Sequence, residues 1–248
     1  MAVDELSPVC ILAGGRGTRL GVQDRPKPLV EVAGEPFLIH PLRLLRAHGA
    51  RRIVLLVDHL GEQIADLVGD GSAFGLDATV VFDAPGFTGT AGAVRGALEH
   101  LGEEFLVLYG DTYLRIDYRA VQTARRASGR PALMAVLRNR NRWGPSNAVY
   151  AGGMVTRHDK AAPEADMEWI DYGLGVLTPA ALERAPDADD LADVYRELAA
   201  AGQLAGYVAT ERFYEIGSPA ALAEADAFLR ALASAQSGRI TSGTVHRT

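Results

Sequence analysis

Short apolar runs alternate with amphipathic stretches along the first half of the chain, and the alternation predicts strands over 9–13, 52–57, 78–82 and 105–109. Helices are expected between them, over 37–48, 61–68 and 90–101. That order implies a parallel sheet covered by helices. The runs 9–13 and 105–109 are almost wholly apolar, as in strands buried on both faces, and each leads directly into glycine or polar residues. Ligands gather at such strand ends in open α/β sheets.

After a helix over 118–128 and a strand over 132–137 the pattern shortens, with strands around 147–150, 154–158 and 173–177. Helices over 179–184 and 191–200 follow, then a strand near 205–208, the triplet Phe213-Tyr214-Glu215 and a last helix from 218 to about 232. The expectation is a single domain over 1–233, with a first half at 1–130 and a second, substrate-facing half at 131–233. From 234 to 248 Ser, Gly, Thr and Arg dominate, and a mobile tail is expected. No internal repeat or hexapeptide pattern is present.

Composition narrows the partners. A net charge of -6 over 248 residues provides no basic field for a nucleic-acid backbone, which points to small molecules. The single cysteine, Cys10, lies inside an apolar run, so no intrachain disulfide can form and a reduced compartment is expected. The first eight residues do not read as a secretory signal, and no run approaches the ~20 apolar residues that span a bilayer. A cytoplasmic protein with no membrane partner is the expectation.

The strongest chemical signal follows the first strand: Leu12-Ala13-Gly14-Gly15-Arg16-Gly17-Thr18-Arg19-Leu20, then Pro26-Lys27-Pro28. Its glycines let backbone N–H groups approach an anion, and Arg16, Arg19 and Lys27 supply countercharge, as a triphosphate requires. A Walker loop would need Lys-Ser or Lys-Thr after its glycines, and a dinucleotide fingerprint would need a small residue at Leu20; neither fits. A plain strand-to-helix turn is the other reading, disfavoured by the two prolines that stiffen the backbone at Lys27.

These residues resemble the signature of the sugar-1-phosphate nucleotidyltransferases. The resemblance continues through Gly34-Glu35-Pro36-Phe37-Leu38, Gly89-Thr90-Ala91-Gly92-Ala93, Gly110-Asp111-Thr112 and Glu215-Ile216-Gly217-Ser218-Pro219, covering nearly the whole chain before the tail. It looks closest to the short branch that includes D-glycero-α-D-manno-heptose 1-phosphate guanylyltransferases. The fold implied is a Rossmann-like three-layer α/β/α sandwich with a mixed, mostly parallel central sheet. The activity implied is Mg²⁺-dependent transfer of a nucleotidyl group, GTP favoured, to a heptose- or mannose-type sugar 1-phosphate. Uridylyl-, thymidylyl- or cytidylyl transfer is the alternative, and a non-catalytic sensing module a more distant one. Family members assemble in several ways, so a homo-oligomer is compatible with the resemblance.

The resemblance assigns Arg19, Lys27 and Asp111 to catalysis. It assigns the loop from Leu12 to Arg19, with Lys27, Gly89, Thr90 and Asp111, to the nucleotide. Asp111 and Glu215 are implied as metal ligands. On residue grounds alone, Asp111 after Gly110 also reads as a turn or capping aspartate, and Glu215 as a solvated strand-end glutamate. Glu215 stands where the family usually has Asp. A glycosyltransferase of the related type would want a second acid at position 113, which is Tyr113. The 89–93 stretch is expected to open a helix with free first-turn N–H groups near the base, or simply to be capped by Thr90. Lys160, Asp171 and Asn147 are implied on the sugar-phosphate side, against a solvated lysine and a turn aspartate. The basic segment 138–143 reads as a solvated loop in preference to a phosphate grip. The six histidines form no zinc spacing.

Overall fold

The computed structural model describes residues 5–15, 24–83 and 89–242. The strands are β1 Val9–Leu12, β2 Glu31–Val32, β3 Glu35–Pro36, β4 Arg52–Val57, β5 Asp77–Phe82, β6 Phe105–Tyr109, β7 Thr112–Tyr113, β8 Ala132–Arg138, β9 Ala148–Ala151, β10 Met154–His158, β11 Trp169–Leu177, β12 Leu204–Ala209 and β13 Tyr214–Glu215. The helices are α1 Ile39–Ala47, α2 Gly61–Val68, α3 Gly89–Gly96, α4 Leu98–Leu101, α5 Tyr118–Ser128, α6 Pro179–Glu183, α7 Leu191–Ala200 and α8 Pro219–Ser242.

Nine strands form one mixed sheet in the order β5-β4-β1-β6-β11-β8-β12-β10-β9. The block β5-β4-β1-β6 is parallel throughout, and β12 runs parallel to β8. Strand β11 is antiparallel to both β6 and β8, so the sheet changes sense where the two halves of the chain meet.

Period-two alternation sorts each apolar strand between the two sheet faces. Ile11, Leu55 and Leu108 pack with Leu42, Ile64 and Val121 from α1, α2 and α5. Cys10, Leu56 and Val107 pack with Val94, Leu182 and Leu198 from α3, α6 and α7. Two separate apolar layers follow, one on each face, as a three-layer α/β/α sandwich requires. A third, smaller cluster joins Val32, Tyr113 and Ile216 to Ala225 and Leu229 of α8.

Four expectations change. The helix expected over 90–101 breaks into α3 and α4 at Gly96–Ala97, where the propensity of glycine weakens the helix. Strand β11 starts at Trp169, not 173, because its first residues pair with β8 and β9 across an irregular register between Asp171 and Gly175. Helix α8 runs past Leu232 to Ser242, through Ala233, Ala235 and Gln236, which are favourable helix formers. The two-residue strands β2, β3 and β7 appear where no pattern predicted them. Among the described residues no helix is long and apolar enough to cross a membrane.

Candidate active site

Because β1, β4, β5 and β6 are parallel, their C-terminal ends share one sheet edge. Ala13, Gly14 and Gly15 follow β1, Asp58 follows β4, Asp83 follows β5, and Gly110-Asp111 follows β6. The Ala13 N–H donates to the Leu56 carbonyl at 2.8 Å and the Gly110 N–H to the Leu12 carbonyl at 2.8 Å. A Cβ at Gly110 would stand 3.0 Å from that carbonyl oxygen and 3.3 Å from the Ala13 Cα, so glycine lets the two strand ends close up. The result is a cleft of about 320 Å³ lined by Gly14, Gly15, Lys27, Asp111, Asp58 and Thr90 among others. Arg16, Gly17, Thr18 and Arg19 lie outside the described residues.

Pro26-Lys27-Pro28 forms a single tight 3-10 turn, closed by the Leu29 N–H on the Pro26 carbonyl at 2.9 Å. The turn buries Lys27 to 8% exposure and aims its ammonium at the Asp111 carboxylate, with which it forms an ion pair. Glu215 reaches the same point from β13, which pairs Glu215 with Thr112 of β7, while the Ile216 N–H donates to the Asp111 carbonyl at 3.1 Å. The Gly217 N–H donates to the Glu215 carboxylate. A Cβ at Gly217 would collide with that carboxylate and stand 3.2 Å from the Lys27 ammonium. Lys27, Asp111 and Glu215 therefore converge, and Glu215 is no free strand-end glutamate.

The glycine-rich opening of α3 departs from expectation. The Thr90 N–H and hydroxyl both donate to an Asp190 carboxylate oxygen at 3.1 Å, and the Ala91 and Gly92 N–H groups donate to the Asp189 carbonyl at 2.8 and 3.3 Å. Thr90 in turn accepts from the Leu191 N–H at 2.8 Å, so it caps α7 and not its own helix. The N–H groups of Thr90, Ala91 and Gly92 are satisfied by the loop before α7 instead of standing free. Gly89 and Thr90 still line the cleft.

A second cleft, about 360 Å³, shares Tyr109 and Asp111 with the first and continues to Asn147, Lys160, Asp171 and Glu215. Lys160 and Asp171 form a 2.7 Å ion pair, and the ammonium donates to the Tyr109 hydroxyl at 3.3 Å and sits 4.8 Å from its ring centroid. Asp171 is fixed further: its carboxylate accepts from the Gly173 N–H at 2.9 Å, and its N–H donates to the Asn147 side-chain oxygen at 2.9 Å. Lys160 is thus held by two partners, although its side chain stays partly exposed. Asp171, at 9% exposure, faces this lysine as well as making its turn contact to Gly173.

The electrostatics follow from that burial. Burial pushes the Lys160 ammonium down, but the Asp171 charge, the Tyr109 phenol and the hydrogen bonds to both together outweigh it and hold the group well above the ordinary lysine value. Burial likewise pushes the Asp171 carboxyl up, and Lys160, His158 and the Gly173 N–H together outweigh it and hold the group below the usual range. In the first cleft, burial and then the nearby Asp58 charge raise Asp83.

Asp58, Asp83, Tyr109, Trp143 and Asp190 are cleft residues that the sequence reading did not single out. For Asp58 and Asp83 a signal existed, since both follow predicted strands at the edge already marked as the ligand side. Trp143 lay in the basic segment 138–143, which read as a solvated loop, and for Asp190 no signal existed, because it arrives from a distant loop.

Comparison with known proteins bears on this geometry. Residues 9–239 match the family model of the MobA-like NTP transferase domain. Over 118 residues the chain is 42% identical to N-acetylmuramate alpha-1-phosphate uridylyltransferase of Neisseria meningitidis, in an alignment covering 46% of this chain and 51% of that protein. Over 197 residues it is 26% identical to glucose-1-phosphate cytidylyltransferase of Salmonella typhi, covering 70% of this chain and 76% of that one. The alignments thus span about half of the first relative and three quarters of the second. The crystal structure of HddC from Yersinia pseudotuberculosis complexed with GMP-PN superposes with a TM-score of 0.72 at 26% identity, covering 90% of this chain and 100% of that one.

Proposed function

The chain belongs to the MobA-like NTP transferase family, and from that premise we propose that it transfers a nucleotidyl group from a nucleoside triphosphate to a sugar 1-phosphate. The observation that carries this reading is the meeting of two clefts at one ion pair, Lys27 with Asp111. Two substrates can occupy adjoining cavities with their phosphates at the junction.

In the reaction a phosphate oxygen of the sugar 1-phosphate bonds to the α-phosphorus as the bond to the β-phosphate breaks, and pyrophosphate leaves. The attacking oxygen is already anionic, so no protein nucleophile is needed. The work is positioning and charge neutralisation. Two unit charges 4 Å apart repel by ~4 kcal/mol at an effective dielectric of ~20. Lys27 answers that repulsion at the junction, Lys160 orients the acceptor phosphate, and Arg16 and Arg19 hold the triphosphate.

The donor set at the junction suits Mg²⁺. Asp111 and Glu215 offer hard carboxylate oxygens, and among the described residues no cluster of three His, Cys, Asp or Glu competes. Mg²⁺ commonly takes one or two carboxylates and completes its shell with water and phosphate oxygens. When bound, it supplies charge neutralisation on the transferring phosphate.

GTP is the favoured donor. Asp58 and Asp83 place two carboxylates on the cleft wall, and guanine presents adjacent N1–H and N2–H₂ donors that one carboxylate accepts together, whereas uracil and thymine flank a single N–H with two carbonyls. The likeness to HddC complexed with GMP-PN supports the same base. The uridylyltransferase and cytidylyltransferase relatives favour UTP or CTP as the second reading. Heptose- and mannose-type sugar 1-phosphates are the first acceptors to test, on the resemblance to heptose 1-phosphate guanylyltransferases.

The test is pyrophosphate release with Mg²⁺ across GTP, UTP, dTTP, CTP and ATP against heptose, mannose, glucose and N-acetylglucosamine 1-phosphates. One preferred pair with GTP supports the reading. A preferred pair with UTP or CTP replaces the base, and nucleotide binding without release for any pair removes the activity.

A further inference from the structure

The basic segment 138–143 is built more firmly than a solvated loop. Asn139 and Ser146 are buried at its base, at 3% and 2% exposure. The Asn139 side chain accepts from the Trp143 N–H at 3.0 Å and donates to the Gly144 carbonyl at 2.8 Å and the Ser146 hydroxyl at 3.0 Å. Asn141 and Ser146 exchange two further bonds, at 3.0 and 2.7 Å. Arg140 and Asn141 adopt left-handed φ of 49° and 60°, which asparagine tolerates and arginine does not favour.

What this framework fixes is Trp143, whose indole lines the second cleft. Two guanidiniums rest on that indole: Arg142 with its central carbon 4.6 Å from a ring centroid, and Arg212 at 5.4 Å. Arg212 also lies 4.6 Å from the Tyr214 ring, and the residue after it, Phe213, lines the cleft. Arg138 and Arg140 share Glu168, and Arg212 pairs with Glu224 at 2.7 Å. Arg142 is exposed and has no carboxylate partner among the described residues.

Two like charges on one ring cost energy, and the fold gains only one neutralising carboxylate there. Trp143 and Phe213 belong to the part of the second cleft that is not shared with the first. In the proposed reaction the reacting phosphate lies at the shared end, at Tyr109 and Asp111, within reach of Lys160. Arg142 and Arg212 do not line the cleft themselves but rest on the Trp143 indole that does, at this unshared end.

We infer that the acceptor is a sugar 1-phosphate carrying a second anionic group, a carboxylate or a phosphate, which Arg142 and Arg212 meet beside Trp143. Guanidinium forks suit both anions, and their stacking on aromatic faces preorganises them for it. The inference rests on the second cleft being the acceptor site of the proposed reaction.

The experiment is calorimetric binding to the Mg²⁺–nucleotide-loaded protein of mannose 1-phosphate, mannose 1,6-bisphosphate and mannuronic acid 1-phosphate, followed by kcat/KM for each. At least one doubly anionic probe is expected to bind roughly tenfold more tightly than mannose 1-phosphate, the size of a charge-assisted contact, and which one does so separates phosphate from carboxylate. Arg142→Gln, at an exposed position, and Arg212→Lys, which keeps the charge but loses the fork, should each erase most of that advantage. Equal binding of all three probes, or an advantage intact in both variants, overturns the inference while leaving the acceptor site standing. Absence of binding by every probe to nucleotide-loaded protein overturns both.

Discussion

The ammonium of Lys27 rests on the carboxylate of Asp111 across 84 positions of sequence, and that contact is where the two clefts meet. The tight turn at Pro26-Lys27-Pro28 delivers one partner and the end of β6 the other. Two consequences can be measured at once. Lys27→Ala should lower kcat by roughly 10²–10³, the usual loss when a preorganised charge is removed from a reacting centre. Stability should fall by only about 1–2 kcal/mol, since Asp111 keeps partial access to water. Steady-state kinetics beside urea denaturation separates the two, and near-normal turnover would remove Lys27 from the mechanism.

Gly217→Ala probes the same junction from the other side. The added methyl collides with the Glu215 carboxylate and crowds Lys27, so Glu215 must move. We expect a higher Mg²⁺ concentration for half-maximal activity and a fall in kcat of about tenfold, with the nucleotide Kd little changed. An unaltered Mg²⁺ dependence would mean that Glu215 has no part in holding the metal.

The Lys160–Asp171 pair sets a pH dependence of stability. Asp171 has its folded pKa held below the unfolded value of about 3.9, so its contribution is present above that value and is lost as pH falls through the folded one. Lys160 has its folded pKa raised above about 10.4, so its contribution is present below that value and is lost as pH rises beyond it. Between about pH 5 and 9 the pair adds no slope. Asp171→Asn should cost about 1–2 kcal/mol at pH 7, discounted because the Lys160 side chain is about a third exposed, and should flatten the acid limb. Urea melts from pH 2.5 to 7 check this, and an unchanged acid limb would show the pair to be electrostatically idle.

Cys10 has no exposed surface, and burial pushes its thiol well above the ordinary cysteine value. Ellman's reagent at pH 8 should find no reactive thiol in the native protein and one per chain in guanidinium. Rapid labelling of the native state would reveal opening between β1 and the α3–α7 layer.

The legible parts of this fold were those set by local apolar pattern. Val9 to Leu12 and Phe105 to Tyr109 carry alternating side chains to two different apolar layers, and a run of apolar residues on both faces announces that arrangement. Strand β13 and its partner β7 are two residues long each, and only their pairing across the chain makes them strands, so no window of sequence contains the reason for them. The site divides the same way. Lys27 and Asp111 sit in local motifs, whereas the Thr90–Asp190 contact joins residues 100 apart, and it reassigned the first-turn N–H groups of α3. The Asp171 carboxylate looked like a turn aspartate because its neighbour Gly173 suggested one; the lysine that gives it a second purpose comes from another strand's end.

Among the described residues only Tyr109 and Asp111 belong to both clefts. In the proposed reaction the donor meets mainly strand ends of the first half, with Asp190 from the second, and the acceptor meets mainly β11 and the loops of the second half. Such a division makes the protein modular for engineering. Substitutions at Asp58 or Asp83 can retune one substrate, and grafts at the Trp143 loop the other, without either change reaching across the seam.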